Sequence, residues 1–137
     1  MSLSSIRRIS PCFYLIPLIF TTFSLATGMV ASAEQPDFAV ITGEWVRPDG
    51  GYIIQVRDIK PDGSADVGYF NPGEINVAEA KVSEWKGLVK FFIKLDDKGY
   101  PGSTYSLYYY AEKDALAGFY YQAAMQQTFE VVFVRKE

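Results

Sequence analysis

The chain of 137 residues contains no histidine, and its single cysteine, Cys12, sits near the N-terminus. These absences exclude more chemistry than any residue present supplies. Without histidine neither a Ser-His-Asp nor a Cys-His nucleophile can be assembled, and zinc sites built from His and Cys ligands are lost with them. A metal centre would have to be made of carboxylates alone, and no stretch has the alternating acidic spacing of a calcium loop. Carboxylate, lysine, tyrosine and hydroxyl chemistry remains. Asp96 and Asp97 form an adjacent acidic pair, but turn-forming residues follow them and solvation is their expected fate. No catalytic residue, metal ligand or cofactor is assigned, and the chain is expected not to be an enzyme.

Long apolar runs are confined to the first 33 residues. Arg7 and Arg8 give a basic start, residues 12–30 are almost uniformly apolar, and Ala31-Ser32-Ala33 is a small-x-small cleavage site. The expected reading is a signal peptide over 1–33, with export to the periplasm or the medium and no stable membrane anchor afterwards. A retained transmembrane anchor is the competing reading, because the run is nearly long enough to span a bilayer. Pro11, Pro17, Thr21, Thr22, Ser24, Thr27 and Gly28 dilute it. Residues 34–137 then form one domain, large enough to bury a single core without staples. Taking Arg7 and Arg8 from the 13 basic residues leaves 11 against 16 acidic ones, a net charge of −5 that argues against a nucleic-acid partner. This part has no cysteine, so no disulfide contributes.

What the chain does have is aromatic, β-branched sequence punctuated by turn residues. Pro48-Asp49-Gly50-Gly51, Lys60-Pro61-Asp62-Gly63 and Asn71-Pro72-Gly73 are turns by composition, and each is followed at once by strand-forming residues. The spacing predicts strands over roughly 38–47, 52–59, 64–70, 75–85, 88–95, 103–111, 115–122 and 127–135. The fourth is the weakest, since Val77-Ala78-Glu79-Ala80-Lys81-Val82 could also make a helical turn; no N-cap or hydrophobic stripe accompanies it. The fifth alternates cleanly, with Val89, Phe91, Ile93 and Leu95 on one face and Lys90, Phe92 and Lys94 on the other. A longer expected connection, 96–102, leads from the fifth to the sixth. The fold class expected is all-β, an eight-stranded antiparallel up-and-down β-barrel preceded by a signal peptide.

The stretch Ile41-Thr42-Gly43-Glu44-Trp45, followed by a turn, an apolar strand, Asp62-Gly63 and Gly68-Tyr69, resembles the first three strands of avidin and streptavidin. Gln127-Thr128-Phe129 is similar to the Asp-Thr-Phe that opens the last avidin strand, and Gly43-x-Trp45 is also the early signature of lipocalin-like (calycin) barrels. The resemblance covers about a third of residues 34–137. It implies a small ligand-binding barrel in which Tyr69 matches the tyrosine that bonds the biotin ureido oxygen. The family's other polar ligand positions are replaced here by Arg47, Gly51, Asn71 and Gln127, and the only other tryptophan is Trp85. The resemblance therefore implies the barrel more strongly than it implies biotin.

Trp45 reads as a structural plug at the closed end of such a barrel, with ligand contact as the alternative, and Gly43 as the residue that lets a backbone pass close by. The tyrosines of strands six and seven must divide between inside and outside, and the inward set is either dry core or cavity lining. Residues 129–134 are apolar on both faces apart from Glu130, so the outer face is expected to be covered, by a second copy or by a neighbouring loop. Tyr69, Asn71, Tyr120, Gln122 and Gln127 are the candidate ligand-binding residues, since uncharged amides and hydroxyls there can orient a small molecule. For Asn71 the plainer reading is ordinary turn chemistry. The expectation is a non-catalytic exported barrel that binds a small ligand or a partner. The alternative is a solid-cored extracytoplasmic inhibitor or assembly module acting through its surface.

Overall fold

The computed structural model describes Gly28 and residues 34–137; apart from Gly28, the expected signal peptide lies outside the described residues. After a 3-10 turn at Phe38–Ile41 the chain forms β1 (Gly43–Val46), β2 (Ile53–Ile59), β3 (Ala65–Phe70), β4 (Glu74–Ile75), β5 (Val77–Trp85), β6 (Leu88–Asp97), β7 (Tyr100–Tyr110), β8 (Ala115–Gln122) and β9 (Gln127–Arg135). A second 3-10 turn, Ala111–Lys113, joins β7 to β8. The strands hydrogen-bond in the order β4-β3-β2-β1-β9-β8-β7-β6-β5, and each neighbouring pair is antiparallel. The two ends of that sheet meet. Ser64 bridges Lys81, and the Val82 N–H donates to the Gly63 carbonyl at 2.7 Å. The result is a nearly closed up-and-down barrel.

Gly63 makes that seam geometrically feasible. Its φ is +87°, and a Cβ there would run into the Val82 carbonyl oxygen. Glycine alone avoids both penalties.

There are nine strands among the described residues where eight are expected, because the interval 75–85 is divided at Asn76. Asn76 turns its polar groups away from β3. Its N–H donates to the Asp97 carboxylate at 2.8 Å, its carboxamide donates to the Asp96 carbonyl at 3.1 Å, and its carbonyl accepts from the Asp96 N–H at 3.1 Å. Pairing thus passes from β3, which holds Glu74 and Ile75, to β6, which holds the rest. A helical turn does not form.

Two further boundaries differ from the expectation. The interval 38–47 begins as a 3-10 turn, with the Asp37 carboxylate accepting from the Ala39 N–H at 2.9 Å, and strand geometry starts only at Gly43. The expected connection over 96–102 is mostly strand: β6 runs on to Asp97 and β7 starts at Tyr100, leaving Lys98-Gly99 as the turn with Gly99 at φ +86°. Side-chain alternation in β6 matches the sequence pattern, with Val89, Phe91, Ile93 and Leu95 buried.

One end of the barrel is sealed around Trp45, which is fully buried. Its indole N–H donates to the Ile41 carbonyl at 2.8 Å, which is what the 3-10 turn positions. Arg135, from the last strand, lays its guanidinium 4.3 Å from the centre of the indole ring. The same guanidinium donates to the carbonyls of Thr42 and Val40, both at 2.8 Å, and to the Asp114 carboxylate at 2.7 and 3.0 Å. Arg135 holds the Asp114 carboxyl below the usual carboxylate range, with the Tyr109 hydroxyl assisting. First strand, last strand and entry turn are thereby tied together at one side chain.

Replacing Trp45 with Ala is expected to lower stability by about 3–5 kcal/mol, read as a fall in the urea midpoint. An unchanged midpoint would refute the plug. Gly63→Ala is expected to cost about 1–3 kcal/mol from the left-handed backbone alone, and to speed amide exchange at Val82 ahead of the other strands.

Candidate functional site

Because successive strands run up and down, the turns β1–β2, β3–β4, β6–β7 and β8–β9 gather at the end away from the Trp45 plug. There the barrel opens into a cleft of about 560 Å³ lined by Arg47, Asp49, Tyr52, Tyr100, Tyr120 and Gln122, with Gly99, Phe129 and Glu130 completing the wall. That volume lies within the usual range for small-molecule sites.

The cleft rests on a ladder of aromatic rings. Registration across β7, β8 and β9 sets Tyr105, Tyr120 and Phe129 side by side, with Tyr105 and Tyr120 stacked at 4.6 Å and Tyr120 and Phe129 at 6.5 Å. From the other wall Tyr52 stacks on Tyr69 at 6.4 Å, and Tyr69 meets Tyr105 at 5.6 Å. Tyr69 and Tyr105 are fully buried and their hydroxyls share a hydrogen bond of 2.8 Å. Beneath the mouth the interior is therefore packed, and among the described residues no buried side-chain polar atom lacks a partner.

The rim carries the charge. Arg47 grips Asp49 with two hydrogen bonds, 2.9 and 2.7 Å, and lies 4.6 Å over the Tyr52 ring. The pair spans the β1–β2 turn, where the Arg47 carbonyl also accepts from the Gly51 N–H at 3.0 Å. Asp49 raises the Arg47 pKa, against the opposing effect of burial, and the neighbouring Tyr105 hydroxyl adds to the rise. Asp49 is lowered in turn by Arg47. The pair is ionised on both sides and locally neutral, so it offers a planar fork without a large net field.

The sequence-expected residues fall in three places. Tyr120 and Gln122 line the cleft. Asn71 stands at the rim, half-buried, its carboxamide donating to the Tyr100 hydroxyl at 2.5 Å. Tyr69 lies below the cleft with its hydroxyl engaged by Tyr105, and Gln127, paired in register with Gln122, is exposed and outside the lining. Gly43 and Trp45 belong to the sealed end, with Gly43 at φ +126° facing the Arg135 guanidinium. Arg47, Asp49, Tyr52, Tyr100 and Phe129 escaped sequence reading as site residues. The signal for the first pair was an arginine and an aspartate two residues apart across Pro48, a spacing at which the side chains can meet over a turn.

Ring faces, an amide and an arginine fork in the lining can hold and orient a molecule.

The buried tyrosines set a specific alkaline limit. Burial pushes the Tyr105 hydroxyl up to about 12, with Tyr69 and Arg47 pulling the other way, while burial and then Tyr105 push Tyr69 higher still. A raised tyrosine favours the protonated, folded form, so its contribution is whole below the ordinary value of 10 and is lost as pH rises through the folded value near 12. Urea stability is expected to fall between about pH 10 and 12, with tyrosinate absorbance lagging until unfolding, and Tyr105→Phe should flatten that fall. A flat profile in the parent chain would contradict the burial.

A scan of family models matched none to this chain, and neither curated proteins nor solved structures gave a match. What the cleft does is read from its own residues.

Proposed function

We propose that this barrel is an exported, non-catalytic binding protein that holds a small molecule in its open mouth. The observation that carries the reading is the cleft of about 560 Å³ in which the faces of Tyr52, Tyr100, Tyr120 and Phe129 surround Gln122 and the Arg47–Asp49 fork. Aromatic walls supply apolar burial, and a few convergent polar groups set orientation, which is the usual composition of a ligand site. Export rests on the composition of residues 1–33.

A nearly closed antiparallel barrel with a buried Gly-x-Trp plug is compatible with an avidin-like or lipocalin-like (calycin) protein. The residues of the mouth favour a ligand other than biotin. Tyr69, the position that would bond a ureido oxygen, spends its hydroxyl on Tyr105 and lies beneath the cleft, and Gln127 replaces the carboxylate that would accept from a ureido nitrogen.

The second reading, a protein acting through its surface, is favoured by one observation: the outer faces of β7 to β9 expose Phe119, Tyr121, Val132 and Val134. The two readings are compatible, since the mouth and the outer face share only Glu130.

Native mass spectrometry of protein recovered from its own host is expected to show a retained small molecule that denaturation releases. Tyr120→Ala and Gln122→Ala should each weaken its retention by roughly tenfold or more, about 1.4 kcal/mol, while the protein remains folded. A bare mass under native conditions, together with no thermal shift from a metabolite extract of that host, would overturn the proposal.

A further inference from the structure

The outer face of β6 to β9 is built in lateral rows. One row runs Lys90, Tyr108, Ala117, Val132, and the next runs Phe92, Ser106, Phe119, Glu130. Further rows add Tyr121 and the neighbours Tyr110 and Val134, and Trp85 packs on Tyr108 at 5.1 Å. Six of these residues are exposed despite being apolar: Phe119 at 49%, Val132 at 48%, Tyr110 at 44%, Trp85 at 43%, Tyr121 at 38% and Val134 at 36%. Two shallow grooves of about 400 and 580 Å³ meet along Tyr110, Ala117 and Val132.

Large side chains carry roughly 150–250 Å² each, so the six present on the order of 500 Å² of apolar surface. That is near the top of what a monomer ordinarily leaves exposed, about 300–600 Å². The flanks of Tyr108 and Phe92 and the stem of Lys90 bring the face toward the roughly 800 Å² per partner of a specific interface.

The charges on this face decide the occupant. Lys90 and Lys94 stand at the β6 side of the patch and Glu130 at the β9 side, in a row adjacent to each. A two-fold axis lying in the contact plane and parallel to the strands turns β6 of one molecule onto β9 of the other. Each Lys90 then faces the partner copy's Glu130, while the aromatic centre meets itself. A surface that answers its own charge pattern under a two-fold rotation is the requirement for an isologous dimer. The domain is acidic overall, yet Lys86, Lys90, Lys94 and Lys113 outnumber Glu112 and Glu130 on and around this face, so the domain's net negative charge is not concentrated where a second copy would dock.

We propose that the outer face of β6 to β9 is a homodimer interface, two barrels packed sheet to sheet with Lys90 and Glu130 paired reciprocally across it. It shares only Glu130 with the wall of the mouth, and its test is the oligomeric state rather than ligand binding.

The chain contains its own reporter. Trp45 is sealed and Trp85 is exposed at the patch, so dimerisation is expected to shift tryptophan emission to the blue with rising concentration, and Trp85→Phe should abolish the shift. Sedimentation equilibrium of the purified chain should show twice the monomer mass at micromolar concentration. Val132→Lys, on the exposed face, should leave a folded monomer, checked by an unchanged far-ultraviolet circular dichroism spectrum and a melting temperature that no longer depends on protein concentration. Lys90→Glu and Glu130→Lys should each weaken association roughly tenfold, and the double exchange K90E/E130K should restore it. A chain that stays monomeric overturns the proposal, including one that instead partitions onto phosphatidylglycerol vesicles and so assigns the face to lipid. A dimer untouched by Val132→Lys, or one that the double exchange fails to restore, overturns it as well.

Discussion

The fold depends on one indole and the cation that covers it. Trp45 is donor to the Ile41 carbonyl on one side and platform for the Arg135 guanidinium on the other. Arg135 in turn satisfies the carbonyls of Val40 and Thr42, backbone groups at the entry turn with no strand partner of their own. A β-barrel needs its first and last strands joined, and here the direct ladder between β1 and β9 is short, with Trp45 opposite Arg135 and Val46 opposite Val134. The side-chain cluster supplies what that short ladder does not. Asp114, held in left-handed backbone after β7, adds the anion that keeps the arginine in place.

Sealing one end so firmly leaves the other free to open. The aromatic ladder from Tyr52 through Tyr69, Tyr105 and Tyr120 to Phe129 grades from rim to core, and its buried hydroxyls are paired within the protein. Tyrosine serves both purposes because it brings large apolar area and one polar tip. Where the tip finds another tyrosine the ring is core, and where the strand ends the ring becomes wall. The Arg47–Asp49 fork sits at that transition, half in the protein and half in water.

Much of this was legible in the chain itself. The intervals 115–122 and 127–135 are strands as the pattern indicates, the alternation from Val89 to Leu95 is the alternation of burial, and the punctuation by Pro48, Gly63 and Gly73 marks turns. These features are local, because period-two patterning and turn chemistry act between near neighbours. The division at Asn76 was not legible, since it depends on Asp96 and Asp97, some twenty residues away in sequence. The start of the first strand was not legible either. Phe38, Ala39, Val40 and Ile41 are a strand by composition, and they coil because Trp45 and Arg135 both require their carbonyls.

The same division holds for the candidate site. By itself the amino-acid sequence determined an all-β chain, an acidic domain without histidine or cysteine, and a set of tyrosines and amides from which a site could be built. Only the tertiary structure decided which of them share a space. Tyr120 and Gln122 face the cleft, Tyr69 lies below it and Gln127 outside it, while Arg47 and Tyr52 join from the β1–β2 connection and Tyr100 from the start of β7. The physical reason is that a barrel mouth collects the ends of strands distant in sequence. Which ring lies under another is set by register across closed ladders, and no local pattern encodes that.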